Sequence, residues 1–165
     1  MTKYLLIGLL TLSFGCSSDK SKYWEIIGKE YKEINEFEEF NDLKDVGGAL
    51  VQDGDHSGYT VSHCQRDNFH VLILERAKNL PDGKMKYTAI DILEINGVEE
   101  GTRLEFVSCR LNGKVDSKII AISEYEETEF LTKIVRTWRV NIEKGKIEEI
   151  PKSGIDCVNI SYGHD

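Results

Sequence analysis

The sequence predicts an α+β fold, in which an N-terminal amphipathic helix packs on a curved antiparallel sheet of about six to eight strands. Apolar residues recur at helical spacing between Ser21 and Phe40, and short apolar runs separated by turn residues follow Gly47 and Gly48. The connections between these runs are too short for crossover helices. Neighbouring strands are therefore expected to be antiparallel.

The predicted helix covers Ser21 to Phe40. Its apolar stripe repeats every three or four residues, which is the period of a helix face that packs on a core. The stripe consists of Trp24, Ile27, Tyr31, Ile34 and Phe37. Gly28 interrupts the pattern and costs about 1 kcal/mol relative to alanine. We expect the stripe to dock on the chain's own sheet.

Short apolar runs form the predicted sheet. They are Ala49–Gln52, Tyr59–Gln65, Phe69–Arg76, Met85–Ile95, Arg103–Leu111, Lys118–Tyr125, Thr132–Ile142 and Lys146–Ile150. The residues between the runs favour turns, as at Asp67-Asn68 and Asn112-Gly113. Polar and apolar side chains alternate along Thr132–Ile142, which is the pattern of a half-buried strand.

The first sixteen residues have the pattern of a secretory leader. Lys3 gives a basic start, residues 5–14 are almost wholly apolar, and Gly15 precedes Cys16. The segment resembles the lipobox of bacterial lipoproteins, on Leu12, Ser13, Phe14, Gly15 and Cys16. Phe14 is bulkier than the small residue usual at its place.

The lipoprotein resemblance implies that Cys16 carries acyl chains such as palmitate and anchors the chain in the cell envelope. A serine directly after the cysteine resembles the outer-membrane pattern of enteric bacteria. The sequence is thus predicted to divide into a signal peptide (1–15), a lipidated cysteine with a polar tether (16–22) and a single α+β domain (23–165).

Charge limits the classes of partner. The chain has 29 acidic and 21 basic residues and a net charge of −8. Nucleic acids bind clustered Lys and Arg, so a nucleic-acid partner is not expected. A basic protein partner is electrostatically compatible with this chain, as is a cation.

Three cysteines follow Cys16: Cys64, Cys109 and Cys157. An exported protein can form disulfides, and three thiols allow three different single bridges. We favour a Cys109–Cys157 bridge, because it would tie down a chain end that otherwise frays. Cys64 would then be a small buried apolar residue.

A polar cluster around the second predicted hairpin contains the candidate metal ligands. If Asp67-Asn68 forms a two-residue turn, Gln65 faces His70 and His63 faces Leu72, which places His63 and His70 on one face as diagonal neighbours. A divalent metal would need a third ligand, for which Asp55 and His56 are the candidates. Solvated histidines beside a turn are the alternative.

The sequence contains no recognisable catalytic motif. There is no GxSxG elbow, phosphate-binding glycine loop or HExxH pair. Arg136, Trp138 and Arg139 form either an exposed interface of the aromatic–arginine type or a core tryptophan with arginines at the sheet margin.

The runs KIIAI, TWRVN and GIDCVN in the last third of the chain resemble uncharacterised lipoproteins of Bacteroidota, a resemblance that implies no activity. The favoured function is a non-enzymatic domain that binds a protein or an envelope component, with an inhibitor or immunity protein as one version. No cofactor is expected. The alternatives are a metal-binding module or metal-dependent enzyme using His56, His63 and His70, and a carrier of a small apolar ligand.

Overall fold

A computed structural model describes residues 21–51 and 58–163 of the chain. Three short 3-10 helices lie in the N-terminal part of the described chain, with the first strand between η1 and η2: η1 (Lys22–Ile26), η2 (Ile34–Glu36) and η3 (Glu38–Phe40). The described strands are β1 (Glu30–Tyr31), β2 (Lys44–Val51), β3 (Tyr59–Arg66), β4 (Phe69–Asn79), β5 (Met85–Ile95), β6 (Thr102–Phe106), β7 (Cys109–Leu111), β8 (Lys114–Val115), β9 (Ile119–Glu124), β10 (Phe130–Leu131), β11 (Ile134–Asn141), β12 (Lys146–Glu149) and β13 (Ile155–Val158).

The described strands form three antiparallel sheets. The first has five strands in the order β1-β5-β4-β3-β2, the second has the order β12-β11-β9-β6, and the third has the order β10-β13-β7-β8. The first two sheets face each other across an apolar core to which both contribute, including Leu72, Leu74, Ile120 and Trp138.

The outer faces of both large sheets are also covered. Val71 and Ile73 of β4 point away from the inter-sheet core and pack with Tyr23, Ile26 and Phe40 of the N-terminal segment. Ile119 and Ala121 of β9 pack instead with the third sheet and with the Cys109–Cys157 pair. Both β4 and β9 are therefore buried on their two faces, which explains their nearly continuous apolar sequences.

The predicted N-terminal helix is wrong, and so is the α+β class that rested on it. The longest helical segment among the described residues is the five-residue η1. Gly28 adopts a left-handed backbone conformation (φ +82°), which ends the helical turn, and its N–H donates to the carbonyl oxygen of Ala89 at 2.8 Å. The chain then joins the sheet edge as β1, where Glu30 lies opposite Thr88 and Tyr31 lies opposite Tyr87.

The predicted stripe is only partly buried. Tyr31 is buried and Ile27 is exposed, while the remaining stripe residues are half-buried. Tyr23 and Ile26, which are not part of the stripe, are buried in their place. Glu36 accepts hydrogen bonds from the backbone N–H groups of Lys32 and Glu33 at 2.8 and 3.0 Å, which stabilises η2 as a single turn.

The single curved sheet is also wrong, because the strands divide among three sheets. Val107 has a positive φ (+61°) directly after β6, and the chain there leaves the second sheet and enters the third. In the parts of the chain that the structure describes, no helix is long and apolar enough to cross a membrane.

Candidate functional site

A carboxyl group is buried on the outer face of the first sheet. Glu75 on β4 is 1% exposed. Its side chain points away from the inter-sheet core, toward the N-terminal segment, because side chains alternate between faces along a strand and the preceding Leu74 belongs to that core. A buried carboxyl group is costly unless it is hydrogen-bonded, so its partners determine what it can do.

Three hydroxyl groups bind Glu75. Thr60 and Ser62 lie two residues apart on β3 and therefore on one face, and they donate to Oε2 at 2.8 and 2.7 Å. The Tyr31 hydroxyl donates to Oε1. Tyr31 reaches this position because β1 pairs with β5, where Tyr31 lies opposite Tyr87.

A cleft of about 420 Å³ opens above this hydrogen-bonded group. The segment 31–35 forms one wall, the edge strand β2 forms the other, and the floor contains Thr60, Ser62 and Glu75. The walls are formed by Tyr31, Lys32, Glu33, Ile34, Asn35, Asp45, Gly47, Gly48, Ala49, Leu50 and Tyr87. We call this space the Glu75 cleft.

Gly48 allows β2 to lie close to the floor of the cleft. It pairs with Ser62, and a Cβ at this position would lie 2.9 Å from the carbonyl oxygen of Val61 and 3.3 Å from the Ser62 hydroxyl. Asp45 lies at a bulge in the same strand and accepts a hydrogen bond from the Gly47 N–H at 2.8 Å. The wall of the cleft is thus shaped by a residue without a side chain.

Burial dominates the electrostatics of the site. It raises the pKa of Glu75, while the hydrogen bonds from Tyr31, Ser62 and Thr60 favour the ionised form and oppose this shift. Burial, together with the neighbouring Glu75 carboxyl group, raises the pKa of Tyr31. Burial also raises the pKa of the free thiol of Cys64 to about 12, so this cysteine remains protonated at neutral pH.

The two candidate metal-binding histidines meet at one end of the inter-sheet core. Gln65 faces His70 and His63 faces Leu72 across β3 and β4. The rings of His63 and His70 stack with centroids 5.1 Å apart, and Nε2 of His63 lies 2.8 Å from Nδ1 of His70. Both side chains are buried, and Phe106 meets the His63 ring edge-on.

This arrangement directs one nitrogen of each histidine at the other histidine and not at a common ligand. Burial lowers the pKa of both rings, that of His63 to about 4. Asp55 and His56, the candidate third ligands, lie outside the described residues. Within the described residues, no group of three or more His, Cys, Asp or Glu side chains is placed to hold a metal ion.

The aromatic–arginine group on β11 is divided between core and surface. Trp138 is 2% exposed and belongs to the inter-sheet core, so it does not form an exposed interface. Arg136 lies over its ring, with the guanidinium carbon 4.6 Å from the centroid, and pairs with Glu149 at 3.0 Å. Arg139 pairs with Asp116 at 2.7 Å.

The cysteines fall into a bridged pair and a single thiol. Cys109 and Cys157 are joined by a disulfide between β7 and β13. Cys64 is buried on the outer face of the first sheet. Cys16, the predicted lipid attachment site, lies outside the described residues.

Glu75 is not recognisable from the sequence, because a glutamate at the end of the apolar run of β4 has the pattern of the first solvated residue after a buried strand. A weak signal was present on β3, where Thr60, Ser62 and Cys64 form a face of small polar residues opposite the apolar face of Tyr59 and Val61. Tyr31 carries no such signal, because its spacing matches that of the predicted helix stripe.

Comparison of this chain with protein-family models, curated proteins and solved structures finds no match.

Proposed function

We propose that this chain is an envelope lipoprotein whose folded domain binds a small ligand in the Glu75 cleft. The cleft is the observation that carries the proposal: about 420 Å³ of space above a buried carboxyl group that three hydroxyl groups hold in place. Clefts of this size, with a few convergent polar groups among apolar walls, are typical of small-molecule sites.

The attachment to a membrane is supported by the sequence Leu12–Cys16, which precedes the described residues. The test is metabolic labelling with an alkyne analogue of palmitate. Cells producing the natural chain should give a labelled band and cells producing Cys16→Ser should not. Equal labelling of both proteins would refute the anchor without affecting the ligand proposal.

Binding fits the geometry better than catalysis. Both oxygens of Glu75 already accept hydrogen bonds from side chains of the protein. The neighbouring thiol of Cys64 is buried and has a raised pKa, so it is not an activated nucleophile. The three hydrogen bonds hold the Glu75 carboxyl group in one position, which suits a binding site.

The protein-partner form of the hypothesis has less support. It rests on the absence of a catalytic motif, the membrane tether and the acidic charge, and Trp138, the one aromatic residue that could have formed an exposed interface with Arg136 and Arg139, is buried between the sheets. The acidic net charge of −8 is compatible with a basic partner, but it selects no surface for one.

The test is a fragment screen on the purified full chain by NMR, with amines, guanidines and neutral polyols in one library. Compounds that bind should shift the NMR signals of the backbone amides of Gly48, Thr60 and Ser62. Ser62→Ala should weaken the binding of these compounds. Ser153→Ala removes an exposed serine hydroxyl that is not part of the cleft and serves as the matched control. If no compound shifts the cleft amides, the proposal fails.

A further inference from the structure

The floor of the Glu75 cleft presents only hydrogen-bond acceptors when the carboxyl group is ionised. A hydroxyl group has one proton to donate, and the hydroxyls of Tyr31, Thr60 and Ser62 all direct theirs at Glu75. Their oxygen lone pairs remain available to a ligand. A carboxylate has about four acceptor positions, of which the three hydroxyls occupy three.

The charged groups around the cleft also favour a ligand that is positively charged and rich in hydrogen-bond donors. Asp45 on β2 lines the cleft as a second carboxylate, and Glu33 lies on the opposite wall, against the single cation Lys32 in the described lining. With Glu75 ionised, three negative charges face one positive charge. An anionic ligand would be repelled, and a ligand rich in N–H donors would satisfy the acceptors.

We infer that the ligand is a small organic cation that places an ammonium or guanidinium group against Glu75. This inference rests on the proposed function and gives the chemical class of the ligand. The N–H groups would donate to the fourth acceptor position of Glu75 and to the oxygens of Thr60 and Ser62, forming charge-assisted hydrogen bonds.

The remainder of the ligand is expected to be short and apolar. Ile34, Leu50 and the ring of Tyr87 form the apolar part of the walls above the polar floor. Alkyl or aryl carbon attached to the cationic group would bury apolar surface against these residues. An alkylamine, a diamine or an alkylguanidine has this combination of a charged end and an apolar body.

Binding of a cation should release a proton. Burial disfavours the ionised form of Glu75 in the empty cleft, and a bound cation favours it. The other titratable groups facing this site are Tyr31 on β1, Asp45 on β2, Cys64 on β3 and Tyr87 on β5, with Lys32 and Glu33 on the adjoining segment. The Tyr31 and Cys64 pKa values are raised by burial, so both groups remain neutral at neutral pH and below.

The test titrates the full chain with butylamine, 1,4-diaminobutane and butylguanidine, and with butan-1-ol and butane-1,4-diol as uncharged counterparts. NMR shifts of the Gly48, Thr60 and Ser62 amides report the site. The cations should bind at least tenfold more tightly than the alcohols of equal length. Their affinity should fall as the pH is lowered from 8 to 5, and calorimetry in buffers of different ionisation enthalpy should show proton release.

Glu75→Gln should weaken the binding of the cations at least tenfold and leave the binding of the alcohols unchanged. Glu149→Gln, which alters an exposed carboxylate outside the cleft, should change neither affinity. The alcohol comparison and the pH series use the natural chain, so they decide the matter even if Glu75→Gln does not fold. Equal binding of alcohols and cations in the cleft overturns the cation inference and leaves the proposed function standing. No shift of the cleft amides with any probe overturns both.

Discussion

The Tyr31 hydroxyl donates its hydrogen bond to Glu75, a residue 44 positions further along the chain, on the outer face of the first sheet. Tyr31 lies in a two-residue strand at the sheet edge, and Glu75 lies two strands away on β4. The contact fastens the N-terminal segment over the sheet and places the carboxyl group at the floor of the cleft. One interaction thus contributes to both the fold and the proposed site.

Glu75→Gln should make the stability of the protein less sensitive to a rise in pH above 4.5. The folded-state pKa of Glu75 is raised by burial, so its contribution to stability is full below the unfolded value of 4.5 and is lost as the pH rises through the folded pKa. In that window the free energy of unfolding falls by up to about 1.4 kcal/mol per pH unit from this group alone.

Urea denaturation at pH 4.5, 6 and 7.5 measures the effect. The stability of Glu75→Gln relative to the natural chain should increase across this series, and Glu149→Gln should show no such trend. If the folded-state pKa of Glu75 were instead lowered, the result would be the opposite, and the variant would become relatively less stable as the pH rises.

His63→Gln should reduce the loss of stability in mild acid. Burial lowers the folded-state pKa of His63 from 6.5 to about 4, so the unfolded chain takes up a proton first as the pH falls. The resulting stability is complete above pH 6.5 and is lost between pH 6.5 and 4. By linkage, His63 should account for a loss of about 2 kcal/mol between pH 7.5 and 5.

The free energy of unfolding of the natural chain and of His63→Gln is measured at pH 7.5 and 5. Because both proteins contain Glu75, its opposite contribution cancels in the difference between them. The natural chain should lose about 2 kcal/mol more than the variant. Identical pH dependence of the two proteins would show that His63 is protonated as easily in the folded as in the unfolded state.

Replacing Cys109 and Cys157 by alanine should strongly destabilise the third sheet. The disulfide closes a loop with a sequence separation of 48, for which the chain-entropy model gives about 4 kcal/mol. Denaturant midpoints of the double variant and of Cys64→Ala separate the loss of the bridge from the loss of a buried thiol. A smaller effect for the double variant than for Cys64→Ala would contradict the role of the bridge.

Gly48→Ala should destabilise the protein by about 1–3 kcal/mol, the usual cost of overpacking. The new Cβ would meet the Val61 carbonyl oxygen at 2.9 Å and the Ser62 Cα at 3.2 Å, both of which are backbone atoms. Glycine-to-alanine changes without a clash commonly stabilise a protein by about 0.4–1 kcal/mol. A loss of stability would therefore confirm the close approach of β2 to β3 at Gly48, and a gain would contradict it. Thermal or urea unfolding measures the change in stability.

The strand positions were largely predictable from the sequence. The runs at residues 59–65, 69–76 and 85–95 coincide with β3, β4 and β5, and the turn at Asp67-Asn68 places Gln65 opposite His70 as its residues suggest. Apolar alternation and turn residues act over a few positions, so these features can be read locally.

The sequence by itself therefore determined the positions of most strands and of the turns between them, and it contains the lipobox pattern around Cys16. Only the tertiary structure decided the conformation of residues 21–40, the division into three sheets and the environment of Glu75. A helical stripe and a set of 3-10 turns can bury much the same aromatic residues. The choice depends on two hydrogen bonds between segments far apart in sequence: the Gly28 N–H donates to the Ala89 carbonyl oxygen, and the Ala89 N–H donates to the Lys29 carbonyl oxygen. Likewise, a glutamate at the end of an apolar run is solvated or buried depending on partners that lie far away in sequence, here Tyr31 and Ser62, and local pattern contains no information about them.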